Sequence, residues 1–233
     1  MAYGNVNTGT VPIGIGGTAT GLYHSDTYSG KFYKLDLDTL LPITTVDNPG
    51  TGTIGIGGTA TRLYNCDEYD EKLYELDPDT LLPINTVGSP GTGPSGIGGT
   101  STRLYNCDYA STNLYEVDLD TLLAINTVGS PGTYSLGVGG TATRLYHSDE
   151  PSTSLYELDL DTLLAINTVD SPSPDPGPTG IGGTATRLYH CETSYYSTNL
   201  YELDLDTLLP INTVDSPSSH PLGIGGTKDT PPA

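Results

Sequence analysis

The feature that most constrains this chain is that it repeats itself. The text "GIGGTATGLYHSD" begins at Gly14, "GIGGTATRLYNCD" at Gly55 and "GIGGTSTRLYNCD" at Gly96. "GVGGTATRLYHSD" follows at Gly137 and "GIGGTATRLYHCE" at Gly180, so successive starts lie 41, 41, 41 and 43 residues apart. A sixth start, "GIGGT" at Gly223, breaks off into "KDTPPA". A fixed period of about 40 residues is the signature of a repeat architecture, and every motif has to be read inside it.

Each period reads as four short strands. In the third repeat they are "GIGGT", "RLYNCD", "NLYEVD" (Asn113 to Asp118) and "LLAINTV" (Leu122 to Val128). A tight Thr-Ser-Thr turn joins the first two, and Asp-Leu-Asp-Thr joins the last two. Nothing in the unit keeps a helical period over ten or more residues. Composition agrees: with 30 glycines, 18 prolines and no tryptophan, the chain suits many short strands and turns, and its 17 tyrosines take the aromatic role.

Four strands per repeat of this length is the unit of a β-propeller blade. Solenoid coils run shorter per turn and lack successive hairpins. The expected fold is therefore all-β, a propeller of five blades of four antiparallel strands, in one domain over residues 1–233. Its repeats are 14–54, 55–95, 96–136, 137–179 and 180–222. Partial elements stand at 3–12, where "NVNTGT" echoes a fourth strand, and at 223–227, which echo a first. These end pieces are expected to replace or overlay strands where the ring closes, with a six-bladed or strand-exchanged closure as the alternative. The inner strand would be Gly-Ile-Gly-Gly, because glycine alone lets converging backbones approach so closely. Closure removes unpaired strand edges.

The blade text "LYELDPDTLLPINTVGSPGTGPSGIGG" (Leu73 to Gly99) resembles the YVTN-type repeats of bacterial surface and lactonase-like propellers. In those a "YV" strand precedes an "IDT" turn and then a "VV.TIPVG..P.G" strand and loop. Quinoprotein-type blades carry similar Asp-x-x-Thr turns. The resemblance covers all five repeats and implies the propeller fold. No Trp-Asp dipeptide is present, so the repeats are not of the WD40 kind. The dispersed acidic and Asn metal ligands of lactonase-type enzymes do not map onto this sequence, so no cofactor is expected.

Charge narrows the partners. Eight Lys and Arg against 28 Asp and Glu give a net charge of −20. Phosphate-binding surfaces need a basic face, so nucleic acid and anionic membranes are not expected partners. No run approaches the ~18 apolar residues that span a bilayer. The opening "MAYGNVNTGTVP" has no charged-then-apolar signal pattern. The expectation is a soluble monomer, cytoplasmic by default, whose partner is a small molecule, glycan or protein of unknown identity.

The apparent chemical motifs read as architecture. A phosphate loop needs a helix behind it, whereas "GIGG" runs into a second strand and recurs in every blade. Asn106-Cys107-Asp108 corresponds to His24-Ser25-Asp26, Asn65-Cys66-Asp67, His147-Ser148-Asp149 and His190-Cys191-Glu192. Neighbours in a strand face opposite ways, so His190 is badly placed to activate Cys191. Cys or Ser here reads as a small group packed between blades. The three cysteines sit in different blades, too far apart for disulfides. The Asp-x-Asp-Thr turns lack the further oxygen ligands of a calcium loop and read as turns whose side chains bond backbone amides. Arg62, Arg103, Arg144 and Arg187 fall on the same face as these turns, where ion pairs are expected.

The blades differ in two loop sets on the opposite face. The loop after the second strand reads "TYSGK", "EYDEK", "YASTN", "EPSTS" and "TSYYSTN". The loop between blades varies as well. Together they bring Tyr28, Tyr69, Tyr109, Tyr134, Tyr195 and Tyr196 beside Asp26, Asp67, Asp108, Asp149 and Glu192. Aromatics with convergent acceptors suit a sugar, a peptide or a cationic group. The leading expectation is a non-enzymatic binding scaffold using this face, with no catalytic or metal-binding residues. The alternatives are a lactonase-like metal-dependent hydrolase or lyase with a metal at the funnel, and a multivalent five-bladed lectin, whose Trp-rich motifs are absent.

Overall fold

In this computed structural model, residues 12–27, 29–149, 153–172, 178–192 and 199–215 are described. Every repeat folds into one antiparallel sheet whose strands pair in chain order. The first blade comprises β1 (Pro12–Gly17), β2 (Leu22–Asp26), β3 (Lys31–Leu35) and β4 (Pro42–Asp47). The second comprises β5 (Thr53–Gly58), β6 (Leu63–Asp67), β7 (Lys72–Leu76) and β8 (Pro83–Gly88). The third is β9 (Pro94–Gly99), β10 (Leu104–Asp108), β11 (Asn113–Val117) and β12 (Ala124–Gly129). The fourth is β13 (Ser135–Gly140), β14 (Leu145–Asp149), β15 (Ser154–Leu158) and β16 (Ala165–Asp170). The fifth is β17 (Pro178–Gly183), β18 (Leu188–Glu192), β19 (Asn199–Leu203) and β20 (Pro210–Asp215).

The inner strands β1, β5, β9, β13 and β17 pack side by side, and β17 returns to β1, so the ring closes with five blades. Each sheet is built from consecutive residues, with no strand exchanged between blades among the described residues. The end pieces, apart from Pro12, lie outside them. Glycine is required at the hub: a Cβ on Gly16 would stand 2.5 Å from the Ile56 carbonyl oxygen of the next blade.

The core is not central; it lies in the five seams between blades. At the second seam Tyr64, Cys66 and Leu73 meet Ile97, Leu104, Tyr115, Val117 and Leu122. At the closing seam Tyr189, Cys191 and Leu200 meet Ile15, Leu22, Leu35 and Leu40 in the same way. The second strand of a blade is covered on both faces, which is why all of "LYNCD" in β6 and β10 is buried. The outer strands alternate outward-facing and half-buried residues, leaving Ile43, Ile84, Ile125, Ile166 and Ile211 exposed.

The Asp-x-Asp-Thr turns are identical in every blade. Asp118 Oδ1 accepts hydrogen bonds from the Thr121 amide and hydroxyl at 2.8 Å each and from the Asp120 amide at 3.2 Å. These bonds hold the Asp118 carboxyl below the usual carboxylate range. The turn forces Leu122 to a φ of 57°. Its side chain is fully buried in the seam, and that burial offsets the cost of a left-handed leucine.

On the face with these turns, each arginine clamps two blades. Arg103 Nε donates to Glu116 of its own blade at 2.7 Å, and Nη1 donates to Asp161 of the next at 3.3 Å, with its guanidinium over the Tyr105 ring. Arg62 does the same with Glu75 and Asp120, and Arg144 with Glu157 and Asp206. Arg187 reaches Asp38 across the closing seam. The first blade has Gly21 in place of arginine, and there Lys34 takes over: it lies over Tyr23 and pairs with Asp79 at 3.5 Å. Lys34 stands where the other blades carry the glutamate. The ladder of cations thus runs all the way round.

No helix is present among the described residues, so none is long and apolar enough to cross a membrane.

Candidate functional site

The opposite face is built where two loops of each blade meet. The Glu68 amide donates to Gly52 O at 2.9 Å and the Tyr109 amide to Gly93 O at 3.0 Å, tying each second-to-third-strand loop to the inter-blade loop before it.

The acids expected to serve a ligand here are buried. Asp26, Asp67, Asp108 and Asp149 are all 0% exposed. Asp108 accepts from the Ser111 amide at 2.7 Å and the Gly93 amide at 2.9 Å. Asp67 accepts from the Asp70 amide at 2.9 Å and the Gly52 amide at 3.1 Å. Asp149 accepts from the Tyr134 amide and Asp26 from the Ser29 amide. They are staples that fix the loops, because a buried carboxylate is tolerable when backbone amides satisfy it. Tyr28, Tyr195, Tyr196 and the side chain of Glu192 lie outside the described residues.

The neighbours of the staples behave differently. Tyr69 is 72% and Tyr134 53% exposed. The Tyr109 hydroxyl donates to Glu68 Oε1 at 2.6 Å, joining the loops of the second and third blades. That bond, with burial second, pushes the Tyr109 phenol up to about 12, so it keeps its proton at neutral pH. Glu68 was not singled out from sequence. Its only signal is that it directly follows Asp67 in the loop "EYDEK" and so faces a tyrosine of the next blade.

The histidines and cysteines belong to the frame. His24, His147 and His190 are fully buried, and each Nδ1–H donates at 2.8 Å to an inner-strand carbonyl, that of Gly14, Gly137 or Gly180. Burial lowers each to about 4. Asn65 and Asn106 make the same bond in the second and third blades, at 2.6 and 2.8 Å. All three cysteines are free and buried. Burial pushes the Cys107 thiol up to about 12 and raises Cys66 as well, the reverse of what a nucleophile needs.

Among the described residues the cavities along the axis are small. The cavity at the Thr-Ala-Thr turns measures about 20 Å³ and the one near the other mouth about 10 Å³, room for a water molecule at most. Their walls are mainly glycine, isoleucine, valine, threonine and alanine, with Ser95, Ser101 and Leu136, and carry no charged side chain. Among the described residues no three His, Cys, Asp or Glu side chains converge as metal ligands would. The metal that a lactonase-like funnel implies does not fit these donors.

No protein-family model and no curated protein matches the sequence. Solved structures do match in fold. Glutaminyl cyclase from Myxococcus xanthus superposes with a TM-score of 0.67 at 16% identity, over 83% of this chain and 90% of that one. A catalytically inactive H270A virginiamycin B lyase from Staphylococcus aureus, with quinupristin, gives 0.52 at 16% identity, over 89% and 74%. At this identity the likeness establishes the fold. Both neighbours are enzymes by name, which goes against the expected non-enzymatic scaffold and favours the enzymatic alternative.

Proposed function

We propose that this chain is a propeller enzyme working on the face where its blades differ, with Glu68 and Tyr109 as its proton-transfer pair. The observation that carries the reading is the 2.6 Å bond between them. It joins loops of two blades and sits on the face that the repeat leaves free to vary. Glu68 supplies a carboxylate able to take a proton from a bound substrate. Tyr109, held protonated, has one O–H, which turns from Glu68 to a developing oxyanion or leaving group as the carboxylate takes the substrate proton. A base and an acid of this kind suit elimination or intramolecular transfer, reactions that consume no water. That chemistry agrees with the names of the two structural neighbours, a cyclase and a lyase. It also keeps the lyase arm of the sequence-based alternative without a metal at the axis. The repeats themselves we read as YVTN-like, on the blade text from Leu73 to Gly99.

The test offers the purified chain a peptide with N-terminal glutamine and, separately, quinupristin, and follows products by mass spectrometry. Cyclisation releases ammonia, elimination leaves the total mass unchanged, and hydrolysis adds water. Turnover by either of the first two routes is expected. Glu68→Gln and Tyr109→Phe should each lower kcat by roughly 10²- to 10⁴-fold, the usual worth of a general acid or base. Turnover indifferent to both substitutions, or none at all, refutes the reading.

A further inference from the structure

The variable face carries a second pattern beside the acid–base pair. Apart from the leucines and isoleucines around the outer strands, the exposed large apolar side chains among the described residues are Tyr69 and Tyr134. Their placement follows a rule that the loop sequences hide. Tyr69 rises from the second-to-third-strand loop and lies across Gly52, where a Cβ would meet its ring at 2.7 Å. Tyr109 lies likewise across Gly93, with ring atoms 2.9 Å from a Cβ there. The inter-blade loop entering the fourth blade has Tyr134 at the position of those glycines. Three successive seams therefore each carry one tyrosine beside or within the inter-blade loop. It comes from one loop when the facing residue is glycine, and from the other loop when it is not. Two of these rings, Tyr69 and Tyr134, stand largely in water, where packing makes no demand on them.

Charge on this face points the same way. Four arginines and Lys34 are engaged on the opposite face. Of the described cations only Lys31 and Lys72 stand on this one, paired with Asp47 and Asp70. Glu68, Asp70 and Glu71 lie within two residues of Tyr69 in sequence and are at least partly exposed. Aromatic faces beside carboxylates, on a chain of net charge −20, attract cations attached to an apolar body.

We infer that the tyrosines at these seams, with Glu68, select substrates carrying a positively charged amine on an apolar or aromatic body. This inference rests on the proposal that this face is the working face, and it names the substrate class. An ammonium lies against an exposed ring, that of Tyr69 beside the Glu68 carboxylate or that of Tyr134 further round, and the apolar body covers the remaining ring surface.

Phenylalaninamide and its N-acetyl derivative serve as probes, identical in body but differing in charge. Calorimetry or saturation-transfer NMR on the intact chain should show binding of phenylalaninamide alone, weakening as salt rises. Tyr69→Ala and Tyr134→Ala should each weaken it about three-fold, the scale of an exposed cation–π contact. Both side chains are solvent-facing, so the variants should fold normally. Equal binding of the acetylated probe, no binding of either probe, or full affinity in both alanine variants overturns the inference. The catalytic proposal fails separately: selective probe binding with no turnover of the substrates named above would leave the amine site standing and remove the enzyme. Turnover without amine selectivity would do the reverse.

Discussion

The two faces of this ring are made by the same repeat, yet they tolerate change very differently. On the face of the Asp-x-Asp-Thr turns, every blade repeats the same clamp. The one deviation, Gly21, is matched by Lys34, which restores a cation over the tyrosine and a bond to the next blade. On the other face the staple aspartates persist while everything between them varies. The lesson is that closing a ring fixes what crosses a seam under load and frees what merely borders it.

The joint between frame and loops offers the largest expected effect. Burial holds His24, His147 and His190 at about 4 in the folded chain, against 6.5 for an unburied histidine. The folded state therefore binds fewer protons. Its stability is full above pH 6.5 and falls as pH drops toward 4, by at most about 3 kcal/mol per histidine. Replacing all three by asparagine, as the second and third blades already do, should flatten urea-unfolding stability across that window. An unchanged pH slope would mean that these rings are not buried neutral.

The next effect sharpens the contrast on the clamped face. Lys34→Glu alone places a carboxylate near Asp79 with no arginine to hold either, and should cost about 1 kcal/mol. Adding Gly21→Arg should recover it as the Tyr23 ring, which stands 2.5 Å from a Cβ there, moves aside. Additive effects at positions 21 and 34 would break the view that the clamps form one continuous ladder.

The smallest effect lies on the variable face. Thr112 sits at a φ of 54° in its turn, where the first blade has Gly30 at 64°. Thr112→Gly should raise stability by roughly 0.5–1 kcal/mol, because a β-branched residue is strained there. Glu68→Gln, on the same face, should move the melting temperature hardly at all even as it removes turnover. A large loss of stability from that substitution would reassign Glu68 to the frame.

The repeat made much of this legible in advance. Its period set the number of strands per blade, and "GIGG" marked the hub. What misled was the acid at the end of each second strand. A polar residue before a loop reads as facing outward, yet Asp108 is wholly buried. Alternation along a strand assigns side chains to two faces but does not say that neighbouring blades cover both. Nor could sequence show that the axis would close to water-sized cavities, since that depends on how near the glycine backbones come.

The sequence by itself determined the units, their count and their glycine hub, because those are local and periodic properties that each repeat states for itself. Tertiary structure alone decided which groups meet across a seam. Glu68 and Tyr109 are 41 residues apart, and Lys34 and Asp79 are 45 apart. Ring closure brings such partners together at a spacing of about one repeat, where no local pattern records them.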